Sequence, residues 1–131
     1  MNKPTILLLI INIPVEGLHR LKEKFCITGD KGMEKLLYVM FIERSKLYNK
    51  INKAMVIKHV EHIKKLDDSG KLVLCGPLKG YPGVAAMIIL KTDSYEEAEE
   101  MCKSEPFVAE GYATYKLCTL RVGDRDNNYL L

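Results

Sequence analysis

Several features are missing from this sequence of 131 residues, and each absence argues against a class of function. Its four cysteines, Cys26, Cys75, Cys102 and Cys118, lack the paired CxxC spacing of a metal or redox motif. We therefore expect reduced, structural thiols and a cytoplasmic location. The lysines form no blocks and the net charge is only +3. This distribution argues against a dedicated nucleic-acid or membrane-binding surface.

Long apolar runs and targeting signals are missing as well. The apolar stretch 6–13 is too short to span a bilayer, and charged residues follow it instead of a small-residue cleavage site. The composition, 47% hydrophobic and 28% charged, is typical of a folded globular protein. The length fits one domain of ordinary size.

From Lys35 onward the hydrophobic periodicity predicts the order β-α-β-β-α-β. The predicted strands are 36–42, 71–75, 84–90 and 112–122. The first helix is predicted over 52–69 and ends at Gly70; the second is capped within 92–94 and ends before Pro106. This order predicts an α+β, ferredoxin-like fold, with a four-stranded antiparallel sheet and both helices on one face.

Two of the predicted strands, 36–42 and 84–90, are apolar on both alternating sets of residues. The sheet face opposite the helices therefore also favours burial, and we expect a homodimer built sheet against sheet. We predict a domain at 33–123, a C-terminal tail at 124–131 and an N-terminal extension of unclear structure at 1–32. Met33 could be the natural start, or the extension could be a short strand or an arm that packs on the dimer mate.

His59 lies on the apolar face of the first predicted helix. At about 100° per residue, an apolar arc formed by Val56, Val60 and Ile63 lies on one side of His59, and Met55 and Leu66 lie on the other. A core-facing imidazole needs a hydrogen-bond partner, and it is also the side chain best suited to proton transfer near neutral pH. His59 is therefore either satisfied structurally or placed in a cavity where it acts.

His62 follows one helical turn later, nearer the polar edge, and is expected to be a solvated surface residue. Two histidines at this spacing can share a metal ion, but no third ligand has a convincing spacing, so no metal site is expected.

Several short motifs occur in a fixed order around this helix. They are His59, Gly70-Lys71-Leu72, Cys75-Gly76-Pro77, Ser94-Tyr95-Glu96-Glu97-Ala98 and Glu105-Pro106-Phe107-Val108-Ala109-Glu110-Gly111. The ordered set resembles the YciI family (YCII-related domain) of the dimeric α+β barrel superfamily, over about residues 36–122.

The resemblance implies that His59 and Glu105 form a catalytic acid/base pair. Glu105 stands where the family has an aspartate, which keeps the carboxylate and adds a methylene. Val56 stands where the family often has an arginine. A carboxylate within reach would fix the imidazole tautomer and raise its basicity.

The function implied is a cofactor-independent enzyme with isomerase-like or lyase-like chemistry on a small cyclic or aromatic molecule. The alternative is a non-catalytic module for small-molecule binding or dimeric assembly. In either case the expected partners are a small-molecule ligand and a second copy of the chain, with no cofactor, nucleic acid or membrane.

Overall fold

The computed structural model describes residues 34–131. The predictions made for the N-terminal extension, Cys26 and Met33 lie outside these residues. The chain is divided into two compact units: Leu37–Leu120, and a second unit in which the described residues up to Leu36 join Arg121–Leu131. The predicted domain boundaries stay a prediction.

Four strands and three α-helices account for most of the described chain. In chain order they are β1 (Leu36–Arg44), α1 (Lys53–Asp68), β2 (Leu72–Pro77), β3 (Val84–Leu90), α2 (Tyr95–Ser104), α3 (Pro106–Ala109) and β4 (Ala113–Arg121). Short 3-10 segments occur at Tyr48–Lys50 and Arg125–Leu130. The predicted order of strands and long helices is confirmed, and α3 is an element that the sequence analysis did not predict.

The four strands form one antiparallel sheet in the order β2-β3-β1-β4. Strand β3 pairs antiparallel with both β1 and β2, for example at Tyr38↔Leu90 and Pro77↔Ala86. This order, with a helix in each of the two crossovers, is the ferredoxin-like α+β topology. The predicted fold class is therefore confirmed.

Helix α1 begins and ends at residues that the sequence marks clearly. The Asn52 side chain accepts a hydrogen bond from the Met55 amide at 3.0 Å, which caps the first turn. At the other end Gly70 has a φ of +76°, and the Lys71 amide donates to the Leu66 carbonyl at 2.9 Å. This is a Schellman closure, which needs the left-handed conformation that glycine adopts at little cost.

The core lies between α1, α2 and one face of the sheet. Alternate side chains of the central strands, Met40, Ile42, Ile88 and Leu90, are buried on this face. The helices contribute the buried side chains Met55, Leu66, Ala98 and Cys102. The apolar side chains that recur on one face of the strands thus pack against those that recur on one face of the helices.

One prediction about α1 is wrong. Val56 and Val60, expected on the buried arc, are each 43% exposed. Positions 55, 59, 62 and 66 share one line along a helix of 3.6 residues per turn, and its two ends, Met55 and Leu66, are the buried residues of α1. The helix is therefore turned so that His59 lies on the packing line and the two valines lie at its edge.

The opposite sheet face carries both apolar and charged side chains. Leu74 of β2 is 52% exposed, and Leu120 of β4 is exposed as well. Between them, the Glu43 carboxylate accepts a hydrogen bond from Thr114 and pairs with Lys116 at 3.6 Å.

The smaller unit has its own local contacts. The Val122 amide donates to the Lys35 carbonyl at 2.9 Å, and Lys35 also forms an ion pair with Asp124. Asp124 caps the segment Arg125–Leu130 by accepting from the amides of Asp126 and Asn127.

Candidate active site

Glu105 is a completely buried carboxylate that is held in place by the backbone around it. It stands between α2 and α3 with none of its surface exposed. Its Oε1 accepts hydrogen bonds from the amides of Phe107 at 3.0 Å and Val108 at 3.3 Å, and so caps α3. Pro106 occupies the first turn of that helix, where its missing N–H costs nothing. One oxygen of Glu105 is thus fixed, and the position of the other follows from it.

His59 meets that other oxygen. Its Nδ1 forms a hydrogen bond with Oε2 of Glu105, so the structure brings the two predicted site residues together. The imidazole also stacks on the Phe107 ring, with centroids 4.4 Å apart and planes 8° from parallel. The ring is therefore held on one edge by a carboxylate and on one face by an aromatic side chain.

This arrangement assigns different roles to the two ring nitrogens. An ionised Glu105 only accepts hydrogen bonds, so with the carboxylate in this form Nδ1 is the nitrogen that carries the proton. In a neutral imidazole the other nitrogen, Nε2, then has a free lone pair. Because the His59 side chain is still 23% exposed, this nitrogen is the one available to a ligand.

His59 lines a cavity of about 450 Å³ between α1 and the helix-covered face of the sheet. The volume lies in the range of small-molecule sites. Its walls are mainly apolar: Ile42, Val60, Ile63, Pro77, Ala85, Ala86, Met87, Ile88 and Phe107. The polar side chains that also line it are Tyr48, His59, Lys64 and Cys75.

Sequence reasoning gave no site role to Tyr48, Lys64 or Cys75. Tyr48 lies outside the predicted strands and helices, and its ring packs edge-on against Phe107 with centroids 6.4 Å apart. Arg44 lies over the same ring, 5.4 Å from its centroid. A lone tyrosine before a helix carries no periodic signal, so the sequence offered nothing that could have found it.

His62 is half-buried, which corrects its prediction as a solvated surface residue. It follows His59 on the packing line of α1 because residues three apart share a helix face. Burial lowers the pKa of His62, the Glu105 charge partly opposes this, and His59 and Lys65 lower it further. Over residues 34–131, no group of three or more His, Cys, Asp or Glu side chains is arranged to hold a metal ion.

The three described cysteines are free thiols in different surroundings. Cys102 lies in the core, and burial raises the pKa of its thiol to about 12. Cys75 and Cys118 are exposed, and only the former lines the cavity.

Among the helices of the described region, none is both long and apolar enough to cross a bilayer.

Comparison with known proteins gave a family match and a structural neighbour. The family model of the YCII-related domain matches residues 36–121. Among solved structures, the chain is similar to 5-chloro-2-hydroxyhydroquinone dehydrochlorinase (TftG) from Burkholderia phenoliruptrix AC1100, in complex with 2,5-dihydroxybenzoquinone. The two share 15% identity with a TM-score of 0.49, over 70% of this chain and 98% of the other. No curated protein matches the sequence.

Proposed function

This chain belongs to the YCII-related domain family, and we propose that it is a cofactor-independent enzyme whose active site is the His59 cavity. The reaction is isomerase-like or lyase-like proton transfer on a small cyclic or aromatic molecule. One observation carries the proposal: an imidazole that lines a ligand-sized cavity is hydrogen-bonded, on its far side, to a completely buried carboxylate. A histidine that served packing alone would not need to line a cavity of this size.

The chemistry starts at Nε2 of His59. Its lone pair takes a proton from an acidic C–H of the bound ring, and the C–H electrons move into the adjacent π system. In an isomerisation the imidazolium returns the proton to another carbon of the same ring. In an elimination the electrons expel a leaving group on the neighbouring carbon, and a new double bond forms between the two carbons.

Glu105 is the positioning residue of this pair. Its carboxylate fixes the tautomer that leaves Nε2 unprotonated and stabilises the imidazolium once the proton is transferred. Because Oε1 is held by two backbone amides, Oε2 does not need to reorganise during the transfer. The added methylene, relative to the aspartate of the family, places no gap between the two groups.

The walls of the cavity support a small, mostly apolar substrate. Apolar side chains of β1 and β3 form one side, and Val60 and Ile63 of α1 form another. Such a lining binds a ring by burial of its surface, while the few polar groups orient it.

An experiment on this proposal needs a panel of small cyclic acids and quinols incubated with the protein in D2O. Deuterium incorporation or product formation is followed by NMR for the wild type, His59→Gln, Glu105→Gln and the control His62→Gln. His59→Gln is expected to lose about 10²- to 10⁴-fold in rate, the usual contribution of a general base. Glu105→Gln should lose less, and His62→Gln should keep most of the activity because it does not line the cavity.

Two results would contradict the enzyme assignment. One is a rate that His59→Gln leaves unchanged. The other is a compound that binds in the cavity of the wild type while no compound of the panel exchanges or reacts, which would identify a binding protein.

We also propose that the protein is a cytoplasmic homodimer that forms through the sheet face opposite the helices. Two large apolar side chains on this face, Leu74 at 52% and Leu120 at 42% exposed, support it as the interface. Light scattering after size exclusion should give twice the mass of one chain for the wild type and one chain for Leu74→Lys. Leu47→Lys, which alters an equally exposed leucine outside the sheet, should stay dimeric. A monomeric wild type would refute the dimer.

A further inference from the structure

The cavity contains one charged side chain that the acid/base mechanism does not use. Of the described residues that line it, Lys64 is the one with a full positive charge, and no Asp or Glu is among them. Glu105 is buried behind His59, so its charge is engaged by the imidazole and by two backbone amides. Among the side chains that line the cavity, a ligand therefore meets one ammonium group and no carboxylate.

Lys64 takes part in no ion pair among the described residues. Two other lysines on or near α1 are paired: Lys58 with Glu110 at 3.2 Å, and Lys71 with Glu97. No carboxylate between residues 34 and 131 lies within ion-pair distance of Lys64. A lysine at the wall of an apolar cavity covers that wall with its methylene stem and keeps its ammonium group in water. We therefore expect the ammonium group of Lys64 at the solvent-facing mouth of the cavity.

The spacing of Lys64 and His59 on α1 defines two ends for a ligand. The residues are five positions apart, so their Cα atoms differ by about 7.5 Å along the helix axis and by about 140° around it, and both side chains line the same cavity. This rise is comparable with the length of one six-membered ring and its substituent. Apolar side chains fill the space between, including Val60 and Ile63.

We propose that Lys64 is the specificity residue of this site and selects substrates that carry a carboxylate or another anionic group on the ring. The inference rests on the proposed function for the location of the site, and it adds the charge of the substrate. The ammonium binds the anionic group at the mouth and so presents the opposite part of the ring to Nε2 of His59. Charge-assisted hydrogen bonds of this kind are about twice as strong as neutral ones.

Matched pairs of compounds that differ only in charge test the proposal by binding alone. Dissociation constants are measured by NMR titration for 4-hydroxybenzoate against 4-hydroxybenzamide, and for cyclohexanecarboxylate against cyclohexanecarboxamide. The proteins are the wild type, Lys64→Gln and Lys65→Gln, the last a neighbouring exposed lysine that does not line the cavity.

The wild type is expected to bind at least one acid about tenfold more tightly than its amide, which is the weight of one hydrogen bond to a charged group. Lys64→Gln should lose that preference, because its affinity for the acid falls while its affinity for the amide stays unchanged. Lys65→Gln should keep it. Raising the salt concentration should weaken binding of the acid more than binding of the amide.

Three outcomes would overturn the inference. The wild type could show no preference for any acid over its amide, including a failure of every compound to bind at millimolar concentration. Lys64→Gln could keep the preference, or Lys65→Gln could lose it equally. The readout is separate from the test of catalysis: acid preference without His59-dependent turnover contradicts only the enzyme, and turnover without acid preference contradicts only Lys64.

Discussion

Two acid–base pairs link the region of α1 to the region of α2, and they differ mainly in their access to water. His59 and Glu105 meet inside, where the carboxylate has no exposed surface. Lys71, just after α1, pairs with Glu97 of α2 at the surface, where the side chains are 28% and 32% exposed. The glutamates are otherwise alike, since each also accepts a hydrogen bond from a backbone amide near the start of a helix.

The comparison distinguishes Lys71–Glu97, which the fold can lose at little cost in stability, from His59–Glu105, on which the fold depends. Water reaches both partners of Lys71–Glu97 and can replace either one, and such solvent-accessible pairs contribute little to stability. Nothing can replace the partners of Glu105, because a buried charge that loses its hydrogen bonds keeps its full desolvation cost. The buried pair is also the one whose histidine lines a cavity. The desolvation cost of Glu105 is therefore located at the site where the pair can act on a ligand.

The largest expected effect comes from removing the buried carboxylate. Glu105→Ala should lower the free energy of unfolding by about 3 kcal/mol, because it removes the partner of His59 and the cap of α3 together. Urea denaturation at neutral pH measures this loss. Glu105→Gln keeps an oxygen that can accept from the two amides, so its free energy of unfolding should fall by clearly less than that of Glu105→Ala. A loss below about 1 kcal/mol in the alanine variant would place Glu105 with ordinary surface residues.

A smaller effect is expected from the half-buried histidine beside the pair. The pKa of His62 is lowered, chiefly by burial, so the folded state binds its proton less readily than the unfolded state. Stability is therefore lost as the pH falls below the ordinary histidine pKa of about 6.5. His62→Gln should lose less in Tm than the wild type between pH 7.5 and pH 5.5. Parallel pH profiles for the two proteins would refute this assignment.

The partly exposed pair Lys71–Glu97 should give the smallest effect. Glu97→Gln and Lys71→Gln are expected to leave the urea midpoint at pH 7 and 1 M NaCl unchanged within error. Their mutual hydrogen bond lowers the pKa of Glu97 and raises the pKa of Lys71. Any contribution at low salt must therefore fade as the pH falls through the lowered pKa of Glu97, and as it rises through the raised pKa of Lys71. If Glu97→Gln were as harmful as Glu105→Gln, burial would not be what distinguishes the pairs.

The fold was largely predictable because its signals are local. Asn52 and Gly70 mark both ends of α1, and the strand predicted at 84–90 matches β3 residue for residue. The missed helix α3 shows the limit of such signals. Pro106 was interpreted only as the end of α2, although a proline after a capping glutamate also favours a helix start.

The site was less predictable than the fold. The resemblance to a family named His59 and Glu105 together, and the structure places them in contact. The exposure of Val56 and the presence of Lys64 at the cavity depend on how α1 is rotated against the sheet. That rotation is set by tertiary packing, and helical periodicity alone does not determine it to better than one residue.

The central claim is that Glu105 holds the proton of His59 on Nδ1 and leaves Nε2 as the base in the cavity. Long-range proton–nitrogen NMR of the histidine rings tests it without any knowledge of the substrate, with His59→Gln for assignment. At a pH where the ring is neutral, we predict a protonated Nδ1 and an unprotonated Nε2. We also predict that a compound which binds in the cavity shifts the Nε2 resonance more than that of Nδ1. A neutral His59 with its proton on Nε2 would contradict the account.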